Sequence, residues 1–281
     1  MYDRRRLKDR VFMCIMVGIS ILAIMPVAHV VTTILINGAS TLMEAGIGFL
    51  TRSPPTPLSS EIGGIAPSMA GSLLMAAISL PITVVLGLFT AVLTAEFPRS
   101  KISLITDTVA RSLASMPTIG VSMIVYTLVV IPMRRPSALA GALSLVIVAL
   151  PYAYTYFSTA LRSIPASYRE AAFSIGMTRR KVVLKVSVLL VKRSIVTGLL
   201  ITMARIMGET AALLFTAGRY RASVQVSIFQ PVDAIPLLIF DYILAPFEIW
   251  HKVAWGAAFL LLLVYMILFL TVKLVVKEVR L

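Results

Sequence analysis

Six long apolar runs constrain the fold of this 281-residue chain more than any other feature. A helix needs about 20 apolar residues to cross the hydrocarbon core of a bilayer. Hydrophobic residues make up 59% of the sequence, which is more than one soluble core can hide. The runs therefore predict an all-α membrane protein of about six transmembrane helices. They lie at roughly 11–37, 65–93, 113–133, 137–158, 194–217 and 253–273.

The formal net charge of +14 lies mostly between these runs. A nucleic-acid-binding domain would carry its lysines and arginines on one face of a polar fold, so we exclude that function. If the N-terminus is cytoplasmic, 19 Lys and Arg residues fall on the cytoplasmic side and 6 on the opposite side, with Arg205 inside the membrane. Because cytoplasmic loops are the basic ones, both termini are predicted to be cytoplasmic in a multi-pass protein of the cell membrane.

The remaining composition gives no indication of a metal site. The only cysteine, Cys14, lies inside the first apolar run, and the two histidines, His29 and His251, stand apart from other ligand types. The first run is too long for a signal peptide and predicts an uncleaved anchor. Residues 38–64 and 218–252 are predicted to be external connections, the second a lid or docking surface. We predict no cofactor.

A cytoplasmic loop reading SYREAAFSIGMTRRKVVLK begins at Ser167. Ser167 and Glu170 have the spacing of a capping box, which predicts a short helix that stops at Gly176. Thr178 can then cap a second helix. Spacing alone equally fits an amphipathic helix that lies on the lipid surface.

Two charged residues, Arg205 and Glu209, fall near the middle of the fifth run. Each costs about 2.5–3.5 kcal/mol to place there on insertion scales. Their i, i+4 spacing predicts that they project from one helix face and neutralise each other. The functional interpretation is an anion site, because the arginine fork matches the oxygens of a phosphate or carboxylate, with Gly208 permitting a close approach. The alternative is a pair that only holds this helix to its neighbours.

Three segments resemble the permeases of ABC importers. The Glu-Ala-Ala triplet at 170–172, followed after three residues by Gly176, resembles the EAA motif of these permeases. The segments MARIMGETAALLFTAG (203–218) and GGIAPSMAGSLLMAAISLPI (63–82) resemble phosphate-importer permeases, in particular the second of the two permeases in that system. The chain has Val188-Leu189 where that family usually has a Leu-Pro pair.

This resemblance implies the type I ABC importer permease fold. It divides the chain into residues 1–62, an N-terminal tail with the first helix and an external loop, and residues 63–281, the transport domain. It also implies an EAA coupling loop at about 165–182. The ATPase contacts would come from Glu170, Ala171, Ala172, Gly176, Arg179 and Arg180. The substrate path would include Arg205, Glu209, Gly208 and Thr210.

The resemblance further implies partners. These are two ABC ATPase subunits, a second permease that is either a sister chain or a copy of this one, and an external phosphate-binding protein. The chain has no phosphate-binding loop of its own, so we expect a transport subunit that is not an enzyme and depends on a separate ATPase. Alternatives are a permease for sulfate, molybdate or another small solute, and an anion channel. An intramembrane enzyme lacks support, since no catalytic arrangement of residues is evident.

Overall fold

The computed structural model of the chain describes the backbone of residues 2–276 and the side chains of residues 8–274. Nearly all of this part is helical, and no strand occurs in it beyond one isolated bridge between Gly218 and Val232. Five basic residues used for the predicted orientation lie outside the described side chains: Arg4, Arg5, Arg6, Lys277 and Arg280. The helices, numbered in chain order, are α1 (Tyr2–Ala45), α2 (Gly48–Thr51), α3 (Ala66–Glu96), α4 (Lys101–Ala114), α5 (Thr118–Met133), α6 (Ala138–Arg162), α7 (Ala166–Ser174), α8 (Arg179–Leu190), α9 (Lys192–Met207), α10 (Ile235–Ile243) and α11 (Glu248–Val276).

Four of these helices are long and apolar enough to cross a bilayer. They are α1 from Lys8 onward, α3, α6, and α11 as far as Leu274. Two bent pairs provide up to two further crossings: α4 and α5 meet at 105°, and α8 and α9 meet at 71°. The described chain thus contains four to six candidate spans, which confirms the predicted all-α membrane fold of about six transmembrane helices.

Two predicted runs are not single straight helices. The run at 113–133 straddles the bend between α4 and α5, which falls at Pro117. Proline has no N–H to donate and disfavours a helical conformation in the residue before it, so the helix breaks there. The run at 194–217 contains all but the first two residues of α9, which stops at Met207, and the chain continues into a 3₁₀ turn at Ala211–Leu213. The prediction of one helix through the fifth run was therefore wrong.

The first helix is longer than predicted. It continues through residues that were assigned to an external loop and ends at Ala45, before Gly46 with φ of +57°. Gly46 takes the left-handed conformation that commonly terminates a helix. The added turns pack closely on α11. Gly38 approaches it so closely that a Cβ built on this glycine would lie 2.3 Å from the Cβ of Phe259. The hydropathy of the segment itself could not show this packing against another helix.

The centre of the bundle is the contact between α3 and α6. Small residues permit it: a Cβ at Gly87 of α3 would approach the Cβ of Ala153 to 2.9 Å, and one at Gly141 of α6 would approach the sulfur of Met75 to 2.5 Å. Because lipid gives helices no hydrophobic reason to associate, close backbone packing of this kind supplies the attraction. By contrast, every residue from 8 to 30 in α1 is exposed.

Candidate functional site

The charged pair in the fifth run forms the ion pair that its spacing predicts. Nη2 of Arg205 lies 3.0 Å from Oε2 of Glu209, and the side chains are 37% and 6% exposed respectively. The pair does not share one helix face, as the sequence suggested, because α9 ends at Met207. Glu209 lies in the turn beyond the helix, where its Oε1 accepts a hydrogen bond of 3.4 Å from the backbone N–H of Ala212.

The Arg205 guanidinium has unused donor capacity. It lies over the ring of Tyr152, with 5.1 Å between Cζ and the ring centroid. Its Nε is buried and has no hydrogen-bond partner among the described residues. A guanidinium carries five N–H donors in a planar fork, and Glu209 engages only one edge of it. The guanidinium is therefore not saturated by its protein partners.

Gly208 and Thr210 flank Glu209 at this break. A Cβ at Gly208 would lie 1.8 Å from the hydroxyl oxygen of Tyr265 on α11, so only glycine permits this approach. Thr210 is partly buried, and its carbonyl accepts the N–H of Leu213 at 3.0 Å. Glycine also has a weak helix propensity, and α9 ends at Met207, one residue before it.

A groove of about 660 Å³ extends from Tyr152, beneath Arg205, along α6 to its C-terminal end. Hydroxyl side chains line much of it, and α9 forms the second wall. The sequence analysis missed this feature, although hydroxyls recurring every three or four residues on α6 were a helical-face signal. The hydroxyl residues are Tyr152, Thr155, Tyr156, Thr159 and Ser163 on α6, with Ser194 and Thr197 on α9.

The predicted coupling loop forms a helix, a turn and a second helix. The helix stops as predicted: Gly176 has φ of +76°, its N–H donates to Phe173, and the N–H of Met177 donates to Ala172. These two hydrogen bonds are the Schellman motif. The predicted capping box was wrong. Helix α7 begins at Ala166, directly after Pro165, so Ser167 lies inside the helix and cannot cap it.

The remaining predicted coupling residues lie on the surface of this loop, with one exception. Glu170 and Ala171 are exposed, whereas Ala172 is buried. Thr178 does precede α8, but its side chain makes no capping hydrogen bond. Arg179 and Arg180 are exposed at the start of α8, so the structure separates them from Glu170 by the Gly176 turn.

Arg169 of α7 is a residue that the sequence analysis counted only as a base. Its Nε lies 3.1 Å from Oε1 of Glu96 at the end of α3, and its other nitrogens donate to the carbonyls of Leu161 and Ile164. Glu96 also accepts a hydrogen bond of 3.0 Å from Ser187 in α8. The buried Glu96 carboxylate thus joins the coupling loop to α3 and α8. Arg169 and Glu96 are 73 positions apart in the sequence, and no sequence pattern pairs residues at that separation.

A second arginine–carboxylate cluster lies in the connection at 218–252. Arg221 donates to both oxygens of Asp233 at 2.8 and 3.1 Å and to Asp241 at 2.7 Å. Asp233 is fully buried and also accepts from Ser68 of α3. Both aspartates lie in the connection predicted to be an external lid or docking surface, and Arg221 pairs with each of them, Asp233 being buried and Asp241 partly exposed.

Burial and neighbouring charge set the ionisation of this cluster. Burial opposes the charge of Arg221, but the hydrogen bonds to Asp233 and Asp241 outweigh it and raise the arginine pKa. Burial, with a contribution from the two aspartates, also raises the pKa of Tyr242 to about 12, although Arg221 opposes the shift. Arg221 therefore keeps its charge at any ordinary pH, and Tyr242 stays neutral.

Comparison with known proteins identifies the relatives of this chain. Residues 83–281 match the family described as "Binding-protein-dependent transport system inner membrane component". The "Probable phosphate transport system permease protein PstA" of Methanocaldococcus jannaschii is 36% identical over 274 residues, which cover 98% of this chain and 95% of that protein. The "Phosphate transport system permease protein PstA" of Xylella fastidiosa, strain 9a5c, is 36% identical over 220 residues, covering 77% and 75%.

Solved structures with similar folds are also ABC transporters. An inward-facing MetNI methionine ABC transporter chain aligns with a TM-score of 0.57 and 17% identity, covering 75% of this chain and 94% of that one. A chain of an amino acid ABC transporter aligns with a TM-score of 0.54 and 20% identity, covering 73% and 91%. These likenesses confirm the predicted type I importer permease fold. With the family match and the near full-length relative, they show that this multi-pass membrane protein belongs to the binding-protein-dependent transport system inner membrane components.

Proposed function

We propose that this chain is the permease subunit of an ATP-driven phosphate importer. The observation that carries the proposal is Arg205, a half-exposed guanidinium at the end of a span with one carboxylate partner and an unpaired buried Nε. Phosphate transport permeases are also the relatives that align along most of the chain. Residues 63–281 form the transport domain in this proposal, and residues 1–62 form the N-terminal tail, first helix and external loop.

Arg205 and Glu209 act as a gate that the anion opens. Phosphate carries one to two negative charges at neutral pH, and entering a low-dielectric passage without a countercharge would cost many kcal/mol. Arg205 supplies that charge, and Glu209 limits the affinity by competing for the guanidinium. The anion and the carboxylate alternate as its partner, while Gly208 and Thr210 shape the passage beside them.

The groove on α6 provides half of the path below this gate. The hydroxyls of Thr155, Ser163 and Thr197 donate to backbone carbonyls, whereas those of Tyr152, Tyr156, Thr159 and Ser194 can replace water around a phosphate as it moves along α6. The groove is open along one side, so a second permease, either a sister chain or a copy of this one, closes it. An external phosphate-binding protein delivers the substrate, in line with the description of the family.

Two ATPase subunits drive the cycle through the coupling loop. The basic asymmetry of the sequence supports a cytoplasmic location for this loop and for both termini. The exposed residues of α7, with the Gly176 turn and the arginines at the start of α8, form the ATPase contact. Arg169 transmits its displacement to α3 through Glu96.

Reconstitution tests the substrate and the energy source. The chain is placed in proteoliposomes with the ATPase, second permease and binding protein of the same organism. We expect ATP-dependent uptake of radiolabelled phosphate that excess sulfate or molybdate does not suppress. Preferred uptake of sulfate or molybdate would reassign the substrate, and phosphate flux without ATP would indicate a channel.

The proposed ATPase contact can be tested with one glycine in the coupling loop and a matched control glycine elsewhere in the chain. Gly176 and Gly46 both have positive φ at a helix end, and neither would bring a new Cβ within 4 Å of another atom. Gly176→Asp should stop phosphate uptake and release the ATPase on purification, because strain and charge enter the docking surface. Gly46→Asp adds the same strain at the other end of the bundle and should retain the ATPase. Retention of both uptake and ATPase by Gly176→Asp would refute the assignment.

A further inference from the structure

A second groove, distinct from the one beside Arg205, lies between the C-terminal end of α3 and helix α8. Its volume is about 560 Å³. Apolar side chains from both helices form its walls, and two arginines stand at its edge. The lining residues are Leu88, Phe89, Val92, Phe97, Arg179, Arg180, Val183, Leu184 and Val188.

The groove spans the depth at which a membrane changes from hydrocarbon to head groups. Helix α3 is apolar along its length and ends at Glu96, so the walls at Leu88 and Val92 lie within its last three turns. Phe97 follows immediately, at the level where aromatic residues mark the membrane interface. An occupant would therefore have its apolar part beside α3 and its polar end beside Arg179 and Arg180.

The two arginines are available for an anion. Arg179 lies over the Phe97 ring, with 4.7 Å between Cζ and the ring centroid, which holds it at the mouth of the groove. Neither Arg179 nor Arg180 forms an ion pair with any described residue, and no acidic side chain lines the groove. Arg169 and Arg221, in contrast, are each engaged by carboxylates.

We propose that this groove binds an anionic phospholipid. One acyl chain lies against Phe89, Val92 and Leu184, and the head-group phosphate accepts hydrogen bonds from Arg179 and Arg180. Charge selects an anion, since two guanidinium groups face the mouth without a countercharge. The apolar walls select a lipid over free phosphate, because inorganic phosphate would leave them uncovered. The bound lipid fixes the position of α8 relative to α3, next to the coupling loop.

Native mass spectrometry of the purified full chain tests this site. The protein is exchanged into equal amounts of phosphatidylglycerol and phosphatidylcholine, and the retained lipids are counted. We expect wild type to retain phosphatidylglycerol preferentially, and the double variant Arg179→Gln/Arg180→Gln to reduce that preference at least fivefold. The matched control is Arg134→Gln/Arg135→Gln, an adjacent pair beyond the end of α5, which removes the same charge and should retain the preference.

Two further measurements separate lipid from other occupants. Leu184→Trp fills the groove without changing the charge and should reduce lipid retention, because Leu184 lines it and is 55% exposed. Millimolar inorganic phosphate should not displace the lipid. Equal retention by wild type and the double variant would overturn the proposal, and so would displacement by phosphate. If the double variant kept its lipid and lost only the ATPase, the two arginines would serve the ATPase contact assigned to them above and not a lipid, and the proposal would be wrong.

Discussion

Two arginine–carboxylate sites in this chain each include a tyrosine ring next to the arginine, and they differ in how fully the arginine is engaged. Arg221 and Arg205 each lie over a tyrosine ring at 5.1 Å. Arg221 makes three hydrogen bonds to two aspartates, whereas Arg205 has one ion-pair contact to Glu209 and an unpaired Nε. A saturated guanidinium has nothing left to offer a ligand, while an under-engaged one does. The Arg221 site is therefore saturated, and the Arg205 site is the one that we propose for transport.

The difference also has a backbone component. Arg221 and its partners join the segment after Gly218 to α3 and α10, so that cluster holds separate parts of the chain together. Arg205 and Glu209 lie on either side of the end of α9, where the chain leaves the helix. A pair across a helix end can separate when the turn moves, whereas a cluster that connects three elements cannot separate without opening the fold.

The largest expected effect is at Arg205. Arg205→Ala should reduce phosphate uptake about 100-fold or more at matched membrane levels, since charge-assisted hydrogen bonds contribute about 1.5–3 kcal/mol each. Arg205→Lys should also impair uptake because the planar fork is lost. The swap Arg205→Glu/Glu209→Arg keeps the ion pair and should stay inactive. A fully active swap would make this site structural, like the one at Arg221.

Substitution of Arg221 should reduce the stability of the protein, whereas substitution of Arg205 should reduce transport. Arg221→Gln leaves Asp233 buried without its countercharge, which costs about 3–5 kcal/mol of unfolding free energy. Arg52→Gln is the matched control, because the Arg52–Glu61 pair is exposed on both sides and contributes about 0–1 kcal/mol. Thermal unfolding of the purified variants measures both. Equal losses for the two variants would remove the structural role assigned to the buried cluster.

The smallest effect concerns the packing beside the transport site. Gly208→Ala should impair uptake because the new methyl collides with the Tyr265 hydroxyl, and overpacking of this kind costs about 1–3 kcal/mol. Removing that hydroxyl with Tyr265→Phe should restore part of the uptake. Gly120→Ala, in a span with open space around it, is the control and should be neutral. Failure of Tyr265→Phe to improve Gly208→Ala would show that the hydroxyl is not the obstacle.

Features that depend on nearby residues were predictable. The apolar runs identified the long helices, since the requirement for about 20 apolar residues is a property of each segment. Gly176 was correctly placed at a helix end, because the left-handed conformation favours glycine regardless of its surroundings. The predicted cap at Ser167 was wrong because another local signal, Pro165, started the helix earlier. Neither the capping-box pattern nor the proline shows by itself which of the two sets the start of the helix.

The sequence by itself determined that this chain is a helical membrane protein, where its apolar helices lie, and that Arg205 and Glu209 form a pair. These follow from hydropathy and from residues a few positions apart. Only the tertiary structure showed that α9 ends between the two and that position 208 has no room for a side chain, since the Tyr265 hydroxyl beside it comes from α11. It also decided which arginines are saturated, since the partners of Arg169 and Arg221 include residues from distant parts of the chain. Such pairings depend on how the helices pack, and no local pattern encodes that geometry.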